Sequence, residues 1–328
     1  YIYLDEGVPI VNSDKLILWP IKKNIISTKL SFVHYHSIIK RLQKIMPDLI
    51  YTRRSSSWIG IAGEYARKHN IRHIHAISSD KAVELRFSVR SIFKPNSFIE
   101  VLYAIRGLKL ARDIIVQNQY QKRILEKRFG INGLIINQMT PFVSESSISK
   151  KETPIQVLWI ANFKDIKQPE IFIELANRLN TICNNINYKM IMAGRIAPNY
   201  QKILNNALRL NSQLSYLGEL SQENVNKLLQ KSHLLVNTSI FEGFSNTFVQ
   251  AWMRKVPVVS MNSNPNQVLT KLNIGYIAPT LDELTEKVTK LIHNDNLRRD
   301  MGERAYIYAT ENHSLEKNIN KILSIIDS

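Results

Sequence analysis

Short apolar runs recur along the chain between longer segments whose apolar positions repeat every three or four residues. In the first half, "DLIYT" (48–52), "IRHIHAIS" (71–78), "DIIVQ" (113–117) and "GLIIN" (133–137) read as strands, with helical patterns at 57–69 and 119–129. This alternation predicts βαβ units on a parallel sheet. A polar stretch, "SESSISKKETP" (144–154), breaks the pattern and reads as an interdomain linker. The alternation restarts with strands at 155–161, 187–194, 214–218, 233–238, 256–261 and 275–279. Helices are expected at 169–180, 199–210, 222–231, 281–293, 296–310 and 315–326, and one more should open at Ser245 or Asn246. The fold class is therefore α/β, with two Rossmann-like doubly wound domains, 1–147 and 152–328, expected to face each other across a cleft. In such sheets ligands bind beyond the carboxyl ends of the strands.

The length of 328 residues agrees, since it suits two domains of roughly 150 residues each. No apolar run approaches the roughly 18 residues of a membrane span. The single cysteine, Cys183, excludes an internal disulfide and a Cys-based zinc site. It suits a reducing cytoplasm and reads as a small buried hydrophobe. Of the net charge of +17, residues 1–150 carry +13, from 24 Lys and Arg against 11 Asp and Glu. Such a field favours an anionic partner, either a phospholipid membrane surface or a phosphorylated acceptor, although solubility alone accounts for it equally well. Nucleic acid is not expected, because the excess charge is not interleaved with aromatics.

The densest chemistry lies in "FEGFSNTFVQAWMRKVPVVS" (241–260). It follows a buried strand ending at Thr238, so its loop sits at the sheet's carboxyl edge. Gly243 permits close ligand approach, and the helix start at Ser245 or Asn246 offers N–H groups to an anion. Glu242 is suited to accept hydrogen bonds from sugar hydroxyls, and Gln250, about one turn into the helix, brings an amide towards the same place.

This stretch resembles the motif of family 4 glycosyltransferases, retaining enzymes of the GT-B fold. The family carries a Glu, a Gly and an aromatic, a second acid eight residues after the first, and then a Gly-Pro-Val-Val-like strand. Here "EGFSNTFVQAWMRKVPVVS" matches, with Gln250 in place of the second acid and Lys255 in place of the Gly. The resemblance covers nearly all of the second half and, more faintly, residues 48–143. It implies that Glu242 holds the donor sugar and Gln250 the nucleotide ribose. Gly243, Phe244, Ser245 and Asn246 would meet sugar and diphosphate through their amides, with Thr247 beside them. An amide at 250 lacks a charge-assisted bond to ribose, which weakens affinity or alters nucleotide choice.

"WIANFKDIKQPE" (159–170) leaves the first strand of the second domain and enters a helix at Pro169. It is similar to the family's Gly-Arg followed by Lys, with Ala161 and Asn162 replacing the first two. The resemblance gives Lys167 the diphosphate and sets Asn162 beside the donor. Lys164 could supply the missing charge, although a solvated surface lysine is the plainer reading. Gly194 ends the next strand where backbone could pass close to the nucleotide, and Arg195 beside it is either a phosphate contact or a surface residue.

In the first domain the family's catalytic-site His aligns with Ser78, not with His73 or His75. Those two share a strand face, but without a third ligand no metal is expected. Arg53, Ser78 and Asp80, with Arg54 and Ser79 next to them, lie past strand ends as acceptor-side candidates. No acid–base carboxylate pair, nucleophile elbow or P-loop is present. That fits retaining transfer, in which the leaving diphosphate takes the acceptor's proton while Glu242 and Lys167 act as the catalytic pair.

The family's first strand, Gly-rich loop and first helix should precede "YIYLDEGVPI", so the chain is expected to be amino-terminally truncated. The expected activity is retaining transfer of a sugar from a nucleotide diphosphate sugar to a glycan or lipid-linked acceptor, of the bacterial cell-surface polysaccharide type. It would need no cofactor and no metal, and would act in the cytoplasm, peripherally at the inner membrane face. The alternatives are a non-catalytic GT-B-like partner subunit and a nucleotide-sugar epimerase of the same fold.

Overall fold

The computed structural model describes residues 2–5, 19–22, 31–53, 56–84, 95–148, 150–242 and 244–328. They form two compact units, Tyr1–Ile136 and Asn137–Ser328. In the first, β1 (Ile2–Asp5) and β2 (Trp19–Lys22) pair in parallel. The chain continues through α1 (Tyr35–Ile45), β3 (Leu49–Arg53), α2 (Ser57–His69), β4 (Arg72–Ala76), α3 (Pro95–Leu110), β5 (Asp113–Val116), α4 (Gln119–Phe129) and β6 (Leu134–Ile135). Strands β3 to β6 form a parallel sheet in chain order.

Helices α1 and α3 were not foreseen from the apolar pattern, and for α3 the packing explains why. It meets α2 backbone to backbone: a Cβ on Gly60 would lie 2.4 Å from the Tyr103 carbonyl oxygen, and one on Gly107 would lie 2.4 Å from the Ile59 carbonyl carbon. A contact made by missing side chains leaves no apolar stripe to read. Glu100 of α3 then accepts bonds from Phe32 N (2.8 Å), Ser57 N (3.1 Å) and Ser57 Oγ (3.0 Å), which ties α3 to the start of α2.

The second unit runs through β7 (Ile155–Ile160), α5 (Pro169–Ile182), β8 (Tyr188–Ala193), α6 (Gln201–Leu210), β9 (Leu214–Tyr216), α7 (Gln222–Gln230) and β10 (Leu234–Asn237). It ends with α8 (Asn246–Trp252), β11 (Val258–Ser260), α9 (Val268–Lys271), β12 (Gly275–Ile277), α10 (Leu281–His293), α11 (Asp295–Asn312) and α12 (Leu315–Asp327). The sheet is parallel, in the order β9-β8-β7-β10-β11-β12. Alternate strand residues feed two cores, as a sheet covered on both faces requires. Val157, Trp159, Met190, Met192 and Val236 pack with Phe172 and Leu175 of α5 and Leu204 of α6. Leu158, Ile191, Leu235 and Val258 pack with Phe248 and Trp252 of α8 and Ala305 and Ala309 of α11.

The division between units falls at Ile136/Asn137, ahead of the stretch 144–154 read as the linker. Residues 137–143 hold to the end of the chain instead. Asn137 Nδ2 donates to Asn312 O (3.1 Å), Thr140 N to His313 O (3.0 Å) and the Tyr306 hydroxyl to Val143 O (2.8 Å). Among the described residues, no helix is long and apolar enough to cross a membrane.

His73 and His75 of β4 are buried, and both contact the Thr52 hydroxyl, at 2.8 and 2.9 Å. Burial holds them neutral, lowering His73 to about 4 and His75, which also feels His73, to about 3. Burial likewise brings His233 and His313 to about 4. The unfolded chain, with histidines near 6.5, takes up protons first as the pH falls. The contribution of these four histidines should therefore be constant above about pH 6.5 and decline from there towards pH 4. At pH 5 the loss is on the order of 2 kcal/mol for each such histidine. Urea unfolding at pH 7.5 and 5.0 checks this, and His73→Leu/His75→Leu should remove a large part of the slope.

Candidate functional site

The sheet order reverses between β7 and β10, so the connections leaving these neighbours turn to opposite faces and open a crevice at their carboxyl ends. Three hydrogen bonds tie the two loops there. Trp159 Nε1 donates to Thr238 Oγ1 (2.8 Å), the Thr238 hydroxyl donates to Lys167 O (2.6 Å), and Ile240 N donates to Ile166 O (2.9 Å). Thr238 is fully buried, so its one hydroxyl satisfies both the indole of the first strand and the carbonyl of the first loop. The result is an ion pair between Lys167 Nζ and Glu242 Oε2 at 2.6 Å. Their side chains are 24% and 18% exposed, screened from bulk water yet open to a ligand. The two residues read as the catalytic pair, far apart in sequence, are thus in direct contact.

The neighbouring loop is shaped by Gly194, at φ +143°, where a Cβ would lie 1.8 Å from the Ala161 carbonyl oxygen. No other residue fits such a conformation and approach. Asn162 Oδ1 accepts from Arg195 N (3.0 Å), so the Asn162 side chain binds two loops together on the same side. The Arg195 guanidinium is bidentate to Glu219, with both bonds at 2.9 Å, an exposed pair. Lys164 is exposed.

Gly243 and Arg54 lie outside the described residues. Ser245 stands at the N-cap of α8, but its hydroxyl meets Thr247 Oγ1 (2.9 Å) rather than capping the helix. Asn246 is exposed, and Thr247 and Gln250 are half-buried. The Phe244 ring turns inward, 6% exposed, with its centroid 4.8 Å from that of His313 and 6.1 Å from that of Trp252. Only its backbone is therefore available to a ligand, and the ring anchors the loop.

In the first unit, Arg53 ends β3, Ser78 follows the adjacent β4, and Asp80 lies just beyond. All three are at one carboxyl edge of that sheet. Asp80 Oδ1 is already engaged, accepting from Asn118 Nδ2 (3.1 Å) and Gln121 Nε2 (2.9 Å) at the start of α4. Among the described residues, no group of three or more His, Cys, Asp or Glu could hold a metal ion. Trp159 and Thr238 carry positioning duties that the sequence reading missed. A polar residue ending a buried strand, with an indole on the neighbouring strand, was the available signal.

Residues 144–308, just over half of the chain, match the family described as glycosyl transferases group 1. The chain is 24% identical over 308 residues to the N-acetyl-alpha-D-glucosaminyl L-malate synthase of Bacillus anthracis, covering 89% of this chain and 73% of that protein. It is 22% identical over 232 residues to the poly(ribitol-phosphate) alpha-N-acetylglucosaminyltransferase of Staphylococcus aureus, covering 69% and 46%. The chain spans about half of that relative, and 51% of a similar Xenopus tropicalis protein, glycosyltransferase 1 domain-containing protein 1, which is 24% identical. Among solved structures, S. aureus TarM bound to fondaparinux, alpha-GlcNAc-glycerol and UDP superposes with a TM-score of 0.67 at 20% identity, over 88% of this chain and 58% of that one. Anabaena HepE bound to UDP-glucose gives 0.69 at 13% identity, over 94% and 85%. The fold is thus GT-B, with two Rossmann-like α/β domains.

The Thr238 bridge can be tested on its own. Thr238→Val should strand the Trp159 N–H and the Lys167 carbonyl, at a cost of about 1–3 kcal/mol. Chemical denaturation checks the loss. Restoration by Thr238→Ser, which keeps the hydroxyl, would assign it to the bridge rather than to packing.

Proposed function

The chain belongs to the glycosyl transferases group 1 family, and from that premise we propose a retaining glycosyltransferase that moves a sugar from a nucleotide diphosphate sugar to a glycan or lipid-linked acceptor. One observation carries this reading: the Lys167–Glu242 contact at the switch point of the second unit's sheet. In the free protein each charge satisfies the other. A donor would divide the pair, with the diphosphate drawing the Lys167 ammonium and the sugar hydroxyls donating to the freed Glu242 carboxylate. The first-turn N–H groups of α8, at Asn246 and Thr247, have no partner within the helix and would add to the anion's binding.

In the reaction, the bond from the anomeric carbon to the diphosphate oxygen breaks and a bond to the acceptor oxygen forms on the same face. The acceptor's hydroxyl proton passes to the departing diphosphate. Lys167 stabilises the negative charge that develops there, the kind of term worth about 10²–10³ in rate. In this reading the lysine offsets part of the diphosphate's charge, and no metal or cofactor takes part. Arg53, Ser78 and Asp80 are proposed for the acceptor side. The +13 carried by residues 1–150 would attract a phosphorylated acceptor or an anionic membrane face, where the protein would act peripherally from the cytoplasm. UDP in the TarM and HepE structures makes it the first nucleotide to try.

Calorimetric titration of UDP, GDP, ADP and CMP tests the proposal. One nucleoside diphosphate should bind selectively, and Lys167→Ala should weaken it about tenfold or more, the worth of a charge-assisted bond. Glu242→Ala should leave that binding intact or tighter while lowering sugar transfer by about 10²–10³. A folded sample that bound none of the four would favour a non-catalytic GT-B-like subunit. Product formed without any added acceptor would favour an epimerase.

A further inference from the structure

The opposite edge of the second unit's sheet holds a different concentration of charge. Ahead of β7 and β10 lies a cavity of about 240 Å³, far beyond the ~10–15 Å³ that a single water needs. His233 forms part of its wall without contributing charge. Its Nδ1 accepts from Gln156 N (3.0 Å) and its Nε2–H donates to Lys151 O (2.8 Å), the neutral state that burial enforces.

Most of the cations around this cavity are committed. Arg298 of α11 donates to Leu291 O (2.5 Å) and to Asp295 Oδ1 (2.6 Å). Lys255 lies between Glu145 and Glu303, at 2.6 and 2.7 Å. It also holds a left-handed backbone, φ 55°, at the position where the resemblance expects glycine, a conformation unfavourable for a side-chain-bearing residue. Its carbonyl receives Lys150 Nζ at 2.6 Å.

Lys150 is the exception. Its ammonium has three donors, and among the described residues the acceptor on it is that one neutral carbonyl. Five cations line the cavity, Lys150, Lys151, Lys255, Arg298 and Arg299, against the three carboxylates Glu152, Asp295 and Glu303, which leaves an excess of positive charge around it. Lys151 and Arg299 are exposed at the same cavity, and Arg299 pairs with Asp295 at 2.6 Å. A half-buried cation with unused donors, at a cavity whose lining carries surplus positive charge, calls for an anion.

We propose that this cavity binds a small tetrahedral oxyanion, inorganic phosphate or the phosphate group of a metabolite, on the Lys150 ammonium, with Lys151 and Arg299 at its rim. The site sits at the amino-terminal ends of the two strands whose carboxyl ends carry the Lys167–Glu242 pair, and it is independent of the donor and acceptor proposed there. Burial and the neighbouring cations lower Lys150 to about 7. Because the anion favours the charged amine, affinity should fall as the pH rises through that region.

Sulfate, which keeps its charge between pH 6.5 and 8.5, is the cleaner probe, titrated into the full chain by calorimetry at fixed ionic strength. Its affinity should drop by roughly tenfold per pH unit above about 7, the linkage expected for one proton. Lys150→Met should weaken binding at least tenfold and flatten the pH dependence. Lys151→Ala should weaken it several-fold, and Lys167→Ala should leave it unchanged. Glycerol phosphate binding more tightly than phosphate would identify a metabolite's phosphomonoester as the occupant, and the reverse order would identify the free ion. Sulfate affinity that is the same in Lys150→Met, or lost in Lys167→Ala, overturns the proposal. If Lys150→Met does not fold, the wild-type profile decides, and affinity that is flat from pH 6.5 to 8.5 overturns it equally.

Discussion

Everything at the candidate site depends on one buried hydroxyl at the point where the sheet changes direction. Strands β7 and β10 are neighbours in space, yet the chain between them winds through β8 and β9, so their loops arrive from distant sequence with nothing covalent to align them. Thr238 supplies the alignment, accepting from the Trp159 indole and donating to the Lys167 carbonyl. Both partners are polar groups drawn into the sheet's edge, where an unmade bond costs about 1–3 kcal/mol, so the two loops have one favourable register. Lys167 and Glu242 then meet as a consequence of the backbone rather than by mutual search.

That geometry also explains why an ion pair is a reasonable resting state for a site expected to handle diphosphate. A lysine alone in a half-covered crevice would be poorly solvated, and a lone glutamate equally so. Pairing them satisfies both side chains without fixing either permanently, because lysine is a point charge on a flexible stem. The rigid parts lie elsewhere. Gly194 presses against Ala161, and the Phe244 ring is clamped between Trp252 and His313. A mobile charge on a fixed frame suits a ligand that carries charge in with it and out again.

The fold was legible wherever burial wrote itself into composition. Runs such as "VLWI" and "HLLVN" are strands buried on both faces, and the second unit's elements fall within a few residues of the positions their alternation indicates. The first unit was harder to read because α2 and α3 join through Gly60 and Gly107, a contact made by absent side chains. At the site, Lys167, Glu242 and Gly194 were visible as residue types at strand ends. Their contacts were not, since pairing at a separation of 75 residues is a product of topology. Phe244 was read for its backbone amide alone, and the structure adds what the motif does not announce: its ring is spent in the core, where it holds the loop.

Lys255 and Gln250 both depart from the family pattern, and the structure separates them. At 255 the left-handed backbone survives the loss of glycine, held by two carboxylates and by the Tyr306 ring, whose centroid lies 5.3 Å from Nζ. The substitution has therefore acquired partners of its own, and its carbonyl anchors Lys150 on the far edge of the sheet. At 250 the side chain is half-buried on α8, while its backbone carbonyl accepts from the buried Arg254 (3.0 Å). Replacing a carboxylate with an amide there keeps shape and hydrogen-bonding capacity and removes a charge. One departure is thus structural, remote from the crevice and compensated locally. The other removes a charge at the position where the resemblance expects a ribose contact, so under the proposed function its effect would appear in ligand preference rather than in stability.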